Sequence, residues 1–287
     1  SAAPEVVTFD RQAFAWSVAV QADRKETSSV HPLLGLQRIA NDQNVIEWEQ
    51  EWTPTEIQFL SDHRVGRHPL APGTLFLDMA RVVANISMAS SIEHQASTLQ
   101  QLSQDVVLTN AKFVQPLPLD DLMGAPSVGR TGLQMTTCLE VGSGRVTISS
   151  SMNGAQSITH AIITAALEPS VATIDGVSNS NELQRARKTM VADPHCQHVV
   201  GAEFYASTGN KYQGAFQSVQ DAWVLGDEMW VDLDTAKLVS AKSKYKSSPE
   251  DGLECLHACA ALDATGQPGI LAVDDHRGRP FMFEGTD

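Results

Sequence analysis

Asp62-His63 is the pair whose types and surroundings are most suited to chemistry. It lies in FLSDHRVGRHPLAPGTLFLDMARVVA, residues 59–84. Pro72-Gly73 follows, and then Phe76, Met79, Ala80 and Val83 recur at three- and four-residue spacing. That recurrence predicts an amphipathic helix with one buried face. Pro72 belongs near its start, where a missing N–H costs least, with Thr74 as a candidate cap. His63 then sits on a turn just ahead of a buried helix, held by a rigid element yet within reach of substrate. A neutral imidazole there suits a general base near pH 7. A turn histidine that only satisfies a hydrogen bond is the competing reading of the same residues.

The elements around the pair follow from alternation and turn chemistry. Ile46, Trp48, Gln50 and Trp52 alternate as a strand that Pro54 ends. Residues 87–104 read as a polar helix end and loop. Val106 to Phe113 reads as a strand, stopped by Gln115-Pro116-Leu117-Pro118. Leu133, Met135, Thr137, Leu139 and Val141 alternate again, and Gly142-Ser143-Gly144 turns the chain into Arg145-Val146-Thr147-Ile148. Residues 157–167 read as another strand. The stretch 168–182 is rich in Ser, Asn and Gly, lacks periodicity and reads as a linker. Beyond it come a short helix over Gly201–Tyr205 and two strands on either side of a Gly226-Asp227 turn. A mostly apolar helix over 251–262 follows, with two short strands at 269–273 and 280–283. Strand, helix, strands thus occurs twice.

Composition narrows the classes. A net charge of −14 argues against nucleic acid, which demands clustered Lys and Arg. An acidic partner would need a local basic patch, and Arg185-Ala186-Arg187-Lys188 is the candidate, with a solvated charge run as the alternative. No apolar run reaches the roughly 20 residues that cross a bilayer. SAAPEVVTFDRQ lacks the basic-then-apolar order of a signal peptide, so the chain is expected in the cytoplasm. Cys138, Cys196, Cys255 and Cys259 form no C-x-x-C pair, and the histidines lack metal-site spacing, so no metal is expected. Cys255 and Cys259 read as small apolar residues on one helix face.

Three segments of the chain resemble the dehydratase domains of modular polyketide synthases and animal-type fatty acid synthases. Their signature is H-x-x-x-G-x-x-x-x-P, usually within L-x-D-H-x-V. Leu60, Asp62, His63, Val65, Pro72, Gly73 and Leu77-Asp78-Met79-Ala80 stand in the matching places, with Arg67 where the family has glycine and Gly66 one residue earlier. His31-Pro32-Leu33-Leu34-Gly35 matches the opening of such domains. Tyr212-Gln213-Gly214-Ala215-Phe216-Gln217 resembles Y-G-P-x-F-Q with the G-P pair altered.

The resemblance implies an α+β double hot-dog: two antiparallel sheets, each wrapping a central helix. The halves would be 1–167 and 183–287, joined by the 168–182 linker. The second half is short of strands after Leu262, as if truncated. His63 would be the base, with Val65, Pro72, Gly73, Tyr212, Phe216 and Gln217 beside the substrate. The substrate would be an acyl thioester on the phosphopantetheine arm of an acyl carrier protein, with no other cofactor. Neighbouring synthase domains would be partners, and a homodimer is compatible.

Dehydration also requires an acid for the departing hydroxyl. In the family this is an aspartate on the second helix, within a pattern like H-P-x-L-L-D-x-x-x-Q/H. In SPEDGLECLHAC, residues 248–259, anchoring on Pro249 and His257 puts Leu253 at that place, and a one-residue shift puts Glu254 there. Matching Leu256-His257-Ala258-Cys259 to L-D-A-C puts His257 there. No register supplies an aspartate. Glu254 as donor implies a dehydratase. His257 or Leu253 implies a pyran-forming or enoyl-isomerising relative, or a domain that only organises the synthase.

Overall fold

Side chains that alternate between core and surface build the larger sheet. Leu133, Met135, Thr137 and Leu139 are buried in one strand, and Val146, Ile148 and Ser150 in the next. The computed structural model describes residues 30–31, 33–39, 44–94, 104–122, 131–169, 180–226, 228–238, 253–268 and 285–286. In chain order the first half holds β1 (Val30–His31), β2 (Gly35–Ile39), β3 (Val45–Glu51), α1 (Pro54–Leu60), β4 (Arg64–Val65) and β5 (His68–Pro69). It continues with α2 (Gly73–His94), β6 (Gln104–Phe113), β7 (Leu133–Glu140), β8 (Arg145–Met152) and β9 (Ile158–Pro169). The second half holds α3 (Ser180–Ala192), β10 (Gln197–Val200), α4 (Gly201–Ser207), β11 (Val219–Leu225), β12 (Glu228–Leu233), α5 (Leu253–Gly266) and β13 (Gly285–Thr286).

Among the described residues, eight strands form one antiparallel sheet in the order β1-β2-β3-β7-β8-β9-β6-β13. α2 lies against β6, β7 and β9. Leu75, Phe76, Met79, Ala80 and Val83 are buried on it, as their spacing predicts. Each of the larger side chains contributes roughly 1.5–3 kcal/mol by leaving water. Gly73 allows the close approach that starts this packing, since a Cβ there would fall 3.0 Å from the Phe113 ring.

The smaller sheet runs β10-β11-β12, also antiparallel. Leu225 pairs with Glu228 across the expected turn, where Gly226 takes φ +58°. α5 packs on β12 but also on α1 and α2, so the central helices of the two halves meet. No helix among the described residues is long and apolar enough to cross a membrane.

Four expectations change. Thr74 is not a cap: it lies inside the first turn of α2, and its hydroxyl donates to the Cys259 carbonyl of α5 at 3.4 Å. The second central helix runs to Gly266, four residues beyond the predicted end at Leu262. α2 likewise continues to His94. Of the expected linker, 168–169 close β9 and 180–182 open α3, a helix the sequence reading did not include. The rest of the linker and the strands expected at 269–273 and 280–283 lie outside the described residues.

Candidate active site

His63 is placed by a chain of local choices. Thr53 and Glu56 form a reciprocal capping box at the start of α1, with Thr53 N donating to Glu56 Oε2 at 2.6 Å and Glu56 N to Thr53 Oγ1 at 3.3 Å. α1 ends in a tight turn, where the His63 N–H donates to the Leu60 carbonyl at 3.0 Å. The β4–β5 hairpin then brings the chain back, and the Leu70 N–H donates to the His63 carbonyl at 3.0 Å. Gly66 takes φ +61° in the two-residue turn. The glycine one place earlier than in the family thus supplies the left-handed residue, and Arg67 stays exposed.

The His63 side chain is 8% exposed. Its Nδ1 lies 2.8 Å from the Leu70 carbonyl oxygen. A carbonyl only accepts, so in the neutral imidazole Nδ1 carries the proton and Nε2 keeps its lone pair. Nε2 faces Asp263 Oδ2 at 3.8 Å, with the aspartate side chain 13% exposed. That separation is too long for a hydrogen bond, so Asp263 gives the Nε2 lone pair no donor.

Asp263 overturns the reading that no register supplies an aspartate. Leu262-Asp263 with Gln267 four residues on satisfies L-D-x-x-x-Q, and the extended end of α5 carries it. Among the described side chains, Asp263 is the carboxylate that faces His63 Nε2. Glu254 and His257 lie nine and six residues earlier on α5, about 13 and 9 Å along its axis. The side chains of both lie outside the described residues. Sequence reasoning missed Asp263 because nothing ahead of it matches H-P-x-L.

Gln267 holds the carboxylate. Its Nε2 donates to Asp263 Oδ2 at 2.8 Å and to the Phe216 carbonyl at 2.9 Å. Its Oε1 accepts from the Tyr205 hydroxyl at 2.9 Å, and that hydroxyl accepts from Val219 N–H at 3.0 Å.

The Tyr212 motif closes the seam between the halves. Lys211 N–H donates to the Arg64 carbonyl at 3.0 Å and Gln213 N–H to the Asp62 carbonyl at 2.9 Å. Gly66 N–H donates to Asn210 Oδ1 at 3.2 Å. Gly214 takes φ +53°, and a Cβ there would fall 2.4 Å from Asp62 Oδ2. Proline, the family's residue at this position, does not fit this backbone.

Tyr212 and Phe216 flank the imidazole, with ring centroids 5.3 and 5.4 Å from it. Burial, above all, pushes the Tyr212 phenol well above its usual range, so it keeps its proton. Phe216 also packs on Phe59. The other expected substrate contacts are more peripheral. Val65 is half-buried opposite His68, Pro72 is buried at the start of α2, and Gln217 is half-buried, its carbonyl accepting from Lys237.

Among the described residues no three metal-ligating side chains gather. The expected basic patch is partly consumed: Arg187 pairs with Asp232 and lies over the Trp223 and Trp230 rings.

The architecture is that of a dehydratase-type double hot-dog. Residues 31–150 match the family model for the polyketide synthase dehydratase domain, a stretch that holds the His31 and His63 motifs but not the Tyr212 motif. Over 120 residues, 41% of this chain, the sequence is 32% identical to lovastatin diketide synthase of Aspergillus terreus. That match spans 4% of the relative's length. The fold is shared with the dehydratase domain from the CurF module of curacin polyketide synthase, at TM-score 0.61 and 18% identity over 90% of this chain and 81% of that one. It is shared with an inactive histidine-to-phenylalanine variant of CurK dehydratase at TM-score 0.62, 18% identity and the same coverage. A variant of the PpsC dehydratase domain from Mycobacterium tuberculosis aligns at TM-score 0.56 and 20% identity, over 90% and 81%.

Proposed function

We propose that this chain eliminates water from a 3-hydroxyacyl thioester to give the 2-enoyl thioester, as the dehydratase of a polyketide synthase. The observation that carries the reading is the bare Nε2 of His63 facing Asp263 across the seam. The α-hydrogen and the β-oxygen of the substrate sit on neighbouring carbons, so base and acid must stand a few ångströms apart, as these two do. His63 Nε2 takes the α-proton. The electron pair forms the double bond, and the C–O bond breaks as protonated Asp263 gives its proton to the hydroxyl, which leaves as water. A proton passed from the imidazolium back to the carboxylate resets the pair. Tyr212, protonated and beside the imidazole, is the polar group placed to orient a substrate oxygen. The acyl chain would arrive on the phosphopantetheine arm of a carrier protein from a neighbouring domain.

Two solved CurK dehydratases support the assignment, since one inactive form has an aspartate replaced by asparagine and another a histidine replaced by phenylalanine. Asp263 supplies the carboxylic acid whose absence would favour cyclisation or isomerisation, and so supports dehydration. The test is conversion of a 3-hydroxyacyl pantetheine thioester, followed by mass. Asp263→Asn and His63→Phe should each lose roughly 10²–10⁴ in rate, while Glu254→Gln should turn over normally. Full turnover by Asp263→Asn would overturn the assignment.

A further inference from the structure

Tyr205 lies on α4, outside every motif that singled out the site, yet its hydroxyl ends the hydrogen-bond chain that begins at the carboxylate. The chain has one consistent direction. Val219 N–H can only donate, so the Tyr205 oxygen accepts from it at 3.0 Å. The single phenolic proton then goes to Gln267 Oε1 at 2.9 Å rather than to the Phe216 carbonyl at 3.4 Å. With Oε1 occupied, the amide nitrogen of Gln267 must face Asp263 Oδ2 and the Phe216 carbonyl. Gln267 is 1% exposed, so water cannot replace a lost partner without cost.

We propose that Tyr205 is a positioning residue for the acid: it fixes the amide of Gln267, which in turn fixes the Asp263 carboxylate opposite His63. Asp263 stands near the C-terminal end of α5, where a helix frays first, and one lateral hydrogen bond is what holds its Oδ2. Tyr205 ties that end to β11 and α4 of the same half. The catalytic consequence rests on the dehydratase reading, but the positioning itself does not.

The experiment therefore has two arms on the full chain. In the first, the side-chain amide signals of Gln267 are assigned by their loss in Gln267→Leu and followed by NMR. In Tyr205→Phe they should move toward the values of a free glutamine amide. Tyr205→Phe keeps the ring contacts with Phe204 and Tyr212. Should it not fold, 3-fluorotyrosine placed at 205, which keeps the hydroxyl and makes it a stronger donor, should shift the same signals. Unmoved signals in a folded Tyr205→Phe, or with fluorotyrosine, overturn the proposal.

The second arm is a kinetic cycle. Tyr205→Phe should lower kcat about tenfold with KM unchanged, and less than twofold in a Gln267→Leu background. An equal loss in both backgrounds would mean that Tyr205 acts through β11 packing and not through Gln267, and would overturn the catalytic part. If the amide signals move while Asp263→Asn still turns over fully, the dehydratase assignment fails and the positioning stands.

Discussion

Two buried histidines, one in the seam and one inside the larger sheet, share nearly the same setting and differ at one atom. His63 and His160 are 6% and 1% exposed. Each holds its Nδ1 against a backbone carbonyl, Leu70 at 2.8 Å and Gln115 at 2.9 Å. Each lies against aromatic rings, His160 stacked on Phe76 at 5.9 Å. At Nε2 they part. That atom of His160 accepts from Ser150 Oγ at 2.7 Å, so its lone pair is used inside the fold. The same atom of His63 meets a carboxylate too far away to bond. What separates a structural histidine from a candidate base here is a single unspent lone pair, not burial or ring packing.

Exchanging the roles should give opposite outcomes. His63→Phe is expected to remove turnover by roughly 10²–10⁴ while costing only about 1 kcal/mol of stability, from the bond to Leu70. His160→Phe should keep kcat within a few-fold. Measuring rate and urea midpoint for both variants tests this, and a comparable loss of kcat in the two would erase the distinction.

Next in size is the seam itself. Gly214→Pro should destabilise the protein by on the order of 3 kcal/mol, read as a lower urea midpoint, because proline cannot take φ +53° beside Asp62. Ser150→Ala strips His160 Nε2 of its donor and should cost about 1–3 kcal/mol with unchanged kcat.

The smallest effect concerns pH. Burial lowers the His160 pKa from 6.5, so the unfolded chain takes up the proton first as pH falls. Stability should therefore decline from pH 6.5 downward until the native His160 titrates. His160→Phe should flatten that slope in urea titrations at pH 7.5 and 5.5. Burial lowers His31 in the same sense, so part of the slope should persist.

Strands β3 and β6 to β9 of the larger sheet were legible from alternation and turn residues, and α2 from its unbroken apolar stripe, whereas β1, β2 and β13 were not read as strands. His63 was legible for a similar reason, since the capping box, turn and hairpin around it, from Thr53 to Leu70, are local in sequence. Asp263 was not. Gly266, Pro268 and Gly269 read as a helix stop, and the predicted end at Leu262 left Asp263 one residue outside. Its support comes from Gln267, Tyr205 and Val219, whose meeting depends on how α5, α4 and β11 pack. No spacing rule brings those three together. The Ser150–His160 pair hid the same way, on neighbouring strands whose register only the fold sets.

The β13–β6 pairing, Gly285 with Lys112 and Thr286 with Ala111, bears on the order of events as the protein is made. β6 leaves the ribosome early, but the strand that covers its edge follows the entire second half. Until then β6 presents unpaired N–H and C=O groups to other chains. The half that carries His63 therefore completes its sheet only after the half that carries Asp263 has been synthesised. A chain stalled between the two would be a sticky intermediate rather than an independent domain.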